Sequence, residues 1–285
     1  MKIDAHQHFW NYDARRDAWI TEEMAVIRRN FTPDDLAPEL AANEIDASIL
    51  VQTAQSEDET HFLLGLAEKT ERIAGVVGWV DFCDPRVEER LRYFSKFPKL
   101  RGFRHIVQAE PDDRFLLRPE FVRGIRQLRQ FSYVYEILIY PQQLPAAVEF
   151  AQLFPEQPLV INHLAKPEIR LGKRDNWEGY MRAMATNRNV HCKVSGMVTE
   201  ADWKHWRPAD FQYYLDVVFE AFGPERLMFG SDWPVCLVAA SYRQVVQLVE
   251  DYVRANCPTR LGDIFGANAI RFYSLKTARS HGPTA

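Results

Sequence analysis

His6 and His8, separated by Gln7, stand at the end of a short run, KIDAHQH, that reads as a β-strand. Side chains alternate along a strand, so both imidazoles point to one side while Gln7 points to the other. Two ring nitrogens can then share one target. His163 and Asp232 close two further runs of the same kind, LVINHL and LMFGSD. If these runs are parallel strands of one barrel, their C-terminal ends face a common volume, which is where barrel enzymes build their active sites. Three imidazoles and a carboxylate in such a place are groups for proton transfer or for holding a metal ion.

Bringing these residues together requires a scaffold, and the chain predicts one. Short β-rich runs begin near Lys2, Ala47, Ile73, Leu100, Tyr133, Leu159, Val190 and Leu227. Most are separated by about 25–35 residues, the length of a βαβ unit. Amphipathic stretches lie between them. Ser56 and Glu59 read as a capping box ahead of Phe62, Leu63, Leu66 and Ala67. Asp84 and Pro85 read as N-cap and first helical residue before Val87, Leu91 and Phe94. A stripe of Phe211, Leu215, Val218, Phe219 and Phe222 ends at Gly223-Pro224, and Ser241 precedes Val245, Leu248, Val249 and Tyr252. The expectation is an α/β chain folded as a single (β/α)8 TIM barrel over residues 1–275. A connection of about 35 residues after the first strand is expected to form a long loop over the barrel mouth. Residues 276–285, polar and small, are expected to be a flexible C-terminal tail.

At 285 residues, 47% hydrophobic and 26% charged, the chain has the composition of an ordinary packed domain of barrel size. A formal net charge of -4 gives no basic field for a phosphate backbone, so nucleic acid is not expected as a partner. Cys83, Cys192, Cys236 and Cys257 form no CxxC pair and read as reduced thiols. The N-terminus has no basic and apolar leader pattern, and no apolar run approaches the roughly 18 residues of a membrane span. A cytoplasmic protein without a membrane partner is expected; oligomeric state is left open.

Six segments, KIDAHQHFW, LRGFRH, LVINHLAKP, CKVSGMVTEADW, RLMFGSDWPVC and IFGANAIRFY, occur in an order that resembles the amidohydrolase superfamily. Within it, the chain is similar to the amidohydrolase-2 branch that contains sugar lactonases, L-fuconolactonases foremost and L-rhamnonolactonases next. The resemblance covers nearly the whole chain. It assigns the strand-one pair to His6 and His8, the strand-six histidine to His163 and the strand-eight acid to Asp232. The bridging lysine of the binuclear members is missing, Arg104 and His105 standing on strand four instead, and strand five has no terminal histidine. The resemblance therefore implies an enzyme that strictly requires no cofactor, with His6, His8 and Asp232 able to hold one divalent metal ion, zinc being the candidate.

The implied reaction is hydrolysis of a sugar-derived aldonolactone, L-fuconolactone first, to the free sugar acid in cytoplasmic carbohydrate catabolism. Asp232 would take a proton from water and return it to the departing ring oxygen. His6, His8 and His163 would polarise the carbonyl. Arg104, His105, Gln52 and Lys166 are candidates for the sugar's polar edge, and strand alternation lets only one of Arg104 and His105 face the pocket fully. Trp10, Trp19 and Trp233 could stack on the sugar or exclude water. Ser195 lacks the flanking GxSxG pattern of a nucleophile elbow and is not assigned as a nucleophile. Two rival readings use the same residues: a zinc-dependent decarboxylase of the same branch, and a sugar-binding barrel without turnover.

Overall fold

The computed structural model describes residues 1–276. The eight expected runs form β1 (Ile3–Gln7), β2 (Ala47–Val51), β3 (Ile73–Gly78), β4 (Leu100–His105), β5 (Val134–Ile137), β6 (Leu159–Ile161), β7 (Val190–Val194) and β8 (Leu227–Phe229). They lie in chain order in one sheet, and each neighbouring pair is parallel. The barrel closes where the Asp232 amide donates to the His6 carbonyl at 2.8 Å and the His8 amide to the Trp233 carbonyl at 2.7 Å. Between and after the strands run α1 (Pro33–Ala42), α2 (Glu57–Lys69), α3 (Val87–Phe94), α4 (Pro119–Ile125), α5 (Leu144–Leu153), α6 (Asp175–Ala185), α7 (Pro208–Phe222), α8 (Tyr242–Asn256) and α9 (Asn268–Phe272). This is the (β/α)8 barrel. Of the tail expected over 276–285, everything after Lys276 lies outside the described residues.

Alternation along the strands divides the apolar residues into two cores. Outward-facing Phe103, Tyr135, Ile161, Val194 and Phe229 pack against the helices. Inward-facing Ile3, Ile49, Val51, Val77, Val134, Val160 and Met228 fill the bottom of the barrel, where Phe272 at the end of α9 and Tyr273 and Leu275 just beyond it plug it. A register shift in β1 between Asp4 and Gln7 interrupts the alternation. Its consequence is a division of labour: Asp4 meets Tyr242 of α8 outside the barrel, whereas His6 meets Lys193 and Arg104 inside it.

Ser56 caps α2 by accepting from the Glu59 amide at 3.1 Å, and Ser241 caps α8. Two local expectations are revised. The Glu59 carboxylate does not return to the cap; its Oε1 accepts from the Thr53 and Ala54 amides and from the Thr53 hydroxyl, tying the end of β2 to α2. At α3 the N-cap is Arg86, because Asp84 Oδ1 accepts from the Arg86 amide and makes a turn through Pro85 before the helix begins. The segment after β1 carries a 3-10 turn (Glu22–Ile27) and pairs Trp10 with Phe31 in an antiparallel bridge.

Candidate active site

Asp232 Oδ1 lies 3.2 Å from His8 Nε2, 3.7 Å from His163 Nε2 and 3.8 Å from His6 Nε2. The four residues singled out in the sequence thus meet around one carboxylate oxygen, and each is almost wholly buried. His6 comes from β1, His8 from just after it, His163 from just after β6 and Asp232 from just after β8. Asp232 has φ 57, and His163, Leu164, Ala165 and Lys166 all have φ between 51 and 56. Left-handed backbone costs non-glycine residues roughly 1 kcal/mol each. Here it turns His163 into the barrel and is held by the Trp177 indole donating to the Leu164 carbonyl at 2.8 Å.

Two glycines make room for the ring cluster. A Cβ on Gly230 would stand 2.7 Å from His6 Cβ. A Cβ on Gly196, whose φ is +61, would stand 2.4 Å from His163 Nδ1. Gly196→Ala is therefore expected to push the His163 ring from its place, lowering kcat by about 10–100-fold. Steady-state kinetics beside a thermal melt check this; unchanged kinetics would show that His163 has no fixed position to lose.

Hydrogen bonds assign different roles to the rings. His8 Nδ1 donates to the Val51 carbonyl at 2.7 Å and its Nε2 lies 3.2 Å from Asp232 Oδ1, a contact that helps hold the carboxyl ionised. His163 Nδ1 pairs with the Ser195 hydroxyl at 2.9 Å. His6 is flanked on both nitrogens by cations, with Lys193 Nζ 3.1 Å from Nδ1 and Arg104 Nη1 3.2 Å from Nε2. Arg104 is itself anchored, donating from Nη1 to Asn162 Oδ1 at 3.1 Å and from Nη2 to the Gln52 carbonyl. Burial, then Lys193 and the neighbouring rings, pushes the His6 pKa well below its ordinary value. Burial also pulls His163 down to about 3. For Asp232 burial acts upward, but His163, His8 and Lys166 outweigh it and hold the carboxyl at about 2. The site at neutral pH is an ionised acid among neutral His6 and His163 rings.

Beneath the rings lies a buried polar layer. Glu136 of β5 accepts from Lys193 Nζ at 2.6 Å, from Asn162 Nδ2 at 2.9 Å and from the Tyr273 hydroxyl at 2.5 Å. Glu136, Lys193 and Asn162 are each fully buried. Outside the barrel, Asp4 accepts from the His6 and Ser231 amides and from the Ser231 and Tyr242 hydroxyls, locking β1 to the turn that carries Asp232. At the mouth, Glu200 stands 3.5 Å from Lys166 and is pushed upward in pKa, chiefly by burial. Sequence reading missed Glu136, Lys193, Asn162, Asp4 and Glu200. The first two carried a signal, an ionisable residue in the middle of an apolar strand, VYEI and HCKV.

The remaining candidates separate. Arg104 faces the cluster, while His105 turns outward, stacking on Phe115 and contacting Glu110 and the Trp79 indole. Gln52 donates to the Arg104 carbonyl at 2.9 Å, and its Oε1, like Arg104 Nε, is buried without a partner among the described residues. Lys166 is engaged with Glu200 and lies over the Tyr140 ring. Trp10 and Trp233 are each 2% exposed and belong to an aromatic cluster with Phe9 and Phe31 that fastens the segment after β1 to β8. Trp19, 43% exposed, meets this cluster edge-on at Trp10.

His6, His8 and Asp232 can each offer one ligand atom, all within 4.8 Å of one another. His8 has the arrangement usual for a ligand, its other nitrogen donating to a backbone carbonyl. The group is compatible with one divalent cation, and no metal is identified by it.

A family model described as Amidohydrolase matches residues 3–275. The chain is 42% identical to the L-fucono-1,5-lactonase of Burkholderia multivorans over 96% of each chain. It is 34% identical to the L-fucono-1,5-lactonase of Burkholderia ambifaria, again over 96% of each. A crystal structure of an amidohydrolase from Burkholderia multivorans with bound zinc superposes with a TM-score of 0.91 at 41% identity, covering 97% of this chain and all of that one.

Proposed function

The chain belongs to the amidohydrolase family, as an enzyme that hydrolyses a sugar lactone, and from that premise we propose that it opens L-fucono-1,5-lactone to the free sugar acid in cytoplasmic sugar catabolism. One observation carries the mechanism: Asp232 Oδ1 is ringed by three imidazole nitrogens within 3.8 Å, with Arg104 reaching the same cluster. Asp232, held ionised by His8, is the acceptor for the attacking water. Asp232 takes its proton as the oxygen attacks the lactone carbonyl carbon. His8, read from the sequence as a group polarising the carbonyl, is held by Nδ1 on the Val51 carbonyl with Nε2 on Asp232 Oδ1, and orients that carboxylate instead. Arg104, His6 and His163 receive the developing oxyanion. The tetrahedral adduct collapses by breaking the bond to the ring oxygen, which takes the proton from Asp232 and leaves as a hydroxyl. The second water proton leaves with ionisation of the new carboxylic acid.

A divalent ion held by His6, His8 and Asp232 would polarise the carbonyl as a Lewis acid. The protein's own groups already supply an acceptor in Asp232 and donors in Arg104, His6 and His163. Gln52, Lys166, Glu200 and the unpartnered atoms beside Arg104 suit a ring bearing several hydroxyls, and the long segment after β1, carrying Trp10 and Trp19, serves as the cover that excludes water.

Proton release from L-fucono-, L-rhamnono-, L-galactono- and D-arabinono-lactones, measured with chelator-treated and zinc-supplemented enzyme side by side, tests this. Turnover is expected with L-fuconolactone fastest. Absence of turnover with every lactone under both conditions would overturn it.

A further inference from the structure

We infer that Lys166 and Glu200 form a clamp that reads one hydroxyl of the lactone ring, the ammonium donating to its oxygen and the carboxylate accepting its hydrogen. The inference rests on the proposed lactone hydrolysis and names two residues that set its substrate preference. Lys166 ends the left-handed run over 163–166, and Glu200 closes the 3-10 turn Val198–Glu200 after β7. Each backbone is pinned by an indole, Trp177 donating to the Leu164 carbonyl and Trp203 to the Thr199 carbonyl, both at 2.8 Å. The Thr199 hydroxyl also donates at 2.7 Å to the carbonyl of Gly196, the glycine that makes room for His163. The two side chains therefore start from fixed points on the segments that build the site. After burial and the imidazoles, Lys166 is the charge that acts on Asp232, and after burial and Lys166, Asp232 acts on Glu200. The clamp is thus within electrostatic reach of the reacting carboxylate.

The pair itself is loose. Lys166 Nζ and Glu200 Oε1 are 3.5 Å apart, with side chains 17% and 20% exposed. Lys173 and Glu168, each about half exposed, close to 3.0 Å. An exposed pair gains little by closing, whereas a pair shielded from water needs its spare donors and acceptors filled. Here the shielded pair is the open one, and neither head group makes another ion pair among the described residues. The Tyr140 ring, 5.4 Å from Lys166 Nζ, supplies the ammonium with an aromatic face. An anion would suit Lys166 and be repelled by Glu200, and a cation the reverse. A hydroxyl answers both, since its oxygen accepts while its hydrogen is given away. A hydroxyl oxygen about 2.8 Å from each head group closes a triangle on the 3.5 Å side.

The test pairs variants with substrates that lack one hydroxyl. Wild type, Glu200→Gln and Lys166→Met are assayed on L-fucono-1,5-lactone and on its monodeoxy analogues, with a thermal melt for each protein. One analogue is expected to lose ~10–100-fold in kcat/KM with wild type, the size of a lost charge-assisted hydrogen bond. Each variant is expected to lose a similar factor on the full lactone and almost nothing further on that analogue. Losses that multiply on every analogue, or variants with wild-type kcat/KM on the full lactone, would overturn the clamp and leave the reaction standing. Binding of 1,5-anhydro-L-fucitol, which has the ring hydroxyls but no ester, is measured by calorimetry in parallel with its monodeoxy forms. The same coupling in binding by an enzyme inactive on every lactone would sink the reaction and keep the clamp. Absence of binding or of coupling in such an enzyme would overturn both.

Discussion

Asp232→Asn is expected to lower kcat by about 10²–10⁴-fold while the protein stays folded, because the substitution removes the proton acceptor and little else. The contacts around the residue explain why the fold should survive. His8 Nε2 lies 3.2 Å from Asp232 Oδ1, and an asparagine side chain, with both a donor and an acceptor, can keep that contact whichever way its amide is turned. The backbone turn is held independently by the Asp232 amide on the His6 carbonyl. The pH profile separates this mechanism from one driven by an ordinary histidine. The acting form of Asp232 is the ionised one, and its pKa is depressed to about 2, so the rate is present above that value and lost only as pH falls through it. His163, at about 3, likewise stays neutral until strongly acid solution. Between about pH 4 and about pH 8 these two groups give kcat/KM no acid limb. Full activity in Asp232→Asn, measured by proton release, would remove Asp232 as the base, and an acid limb centred near pH 6 would assign the rate to another group.

The scaffold was legible because it is written in repetition. Each strand coincides with one of the eight short β-like runs, and those at Ala47, Ile73, Leu100, Leu159, Val190 and Leu227 begin on the strand residue itself. His6, His8, His163 and Asp232 were legible for a related reason, since strand ends in a barrel have one destination. Side-chain direction near the bulge in β1 was less accessible. Simple alternation would put Asp4 on the face of His6, and only the register shift sends it out to Ser231 and Tyr242. Glu136 and Lys193 belong to a third class. Each is a misplaced charge when its strand is read alone, and they become an ion pair only when β5 and β7, on either side of β6, turn both side chains toward the barrel axis. Long-range closure of that kind leaves no local periodicity to read. Glu200 lies in a 3-10 turn after β7, where no strand or helix period applies.

The Arg104 side chain carries the second large effect. Arg104→Met is expected to lower kcat by about 10²–10³-fold, the size of effect seen when a donor to a developing oxyanion is removed. It is also expected to destabilise the fold by about 1–3 kcal/mol, since the Gln52 carbonyl and Asn162 Oδ1 would lose their charged donor inside the barrel. The two losses can be told apart with Arg104→Lys, which keeps a cation but not a planar fork able to serve Gln52, Asn162 and the reacting centre at once. A lysine long enough to reach either backbone or substrate, but not both, should recover part of kcat or part of the melting temperature, not both in full. The charge balance sharpens the expectation. Arg104 and Lys193 face Glu136 and Asp232, two buried cations against two buried anions. Taking away Arg104 leaves an excess of negative charge where the transition state must add more, so the loss should fall on kcat rather than on KM. Kinetics on L-fuconolactone with a parallel thermal melt decide the matter. A variant that melts lower but turns over at the wild-type rate would make Arg104 a structural tie, and the oxyanion would then rest on His6 and His163 alone.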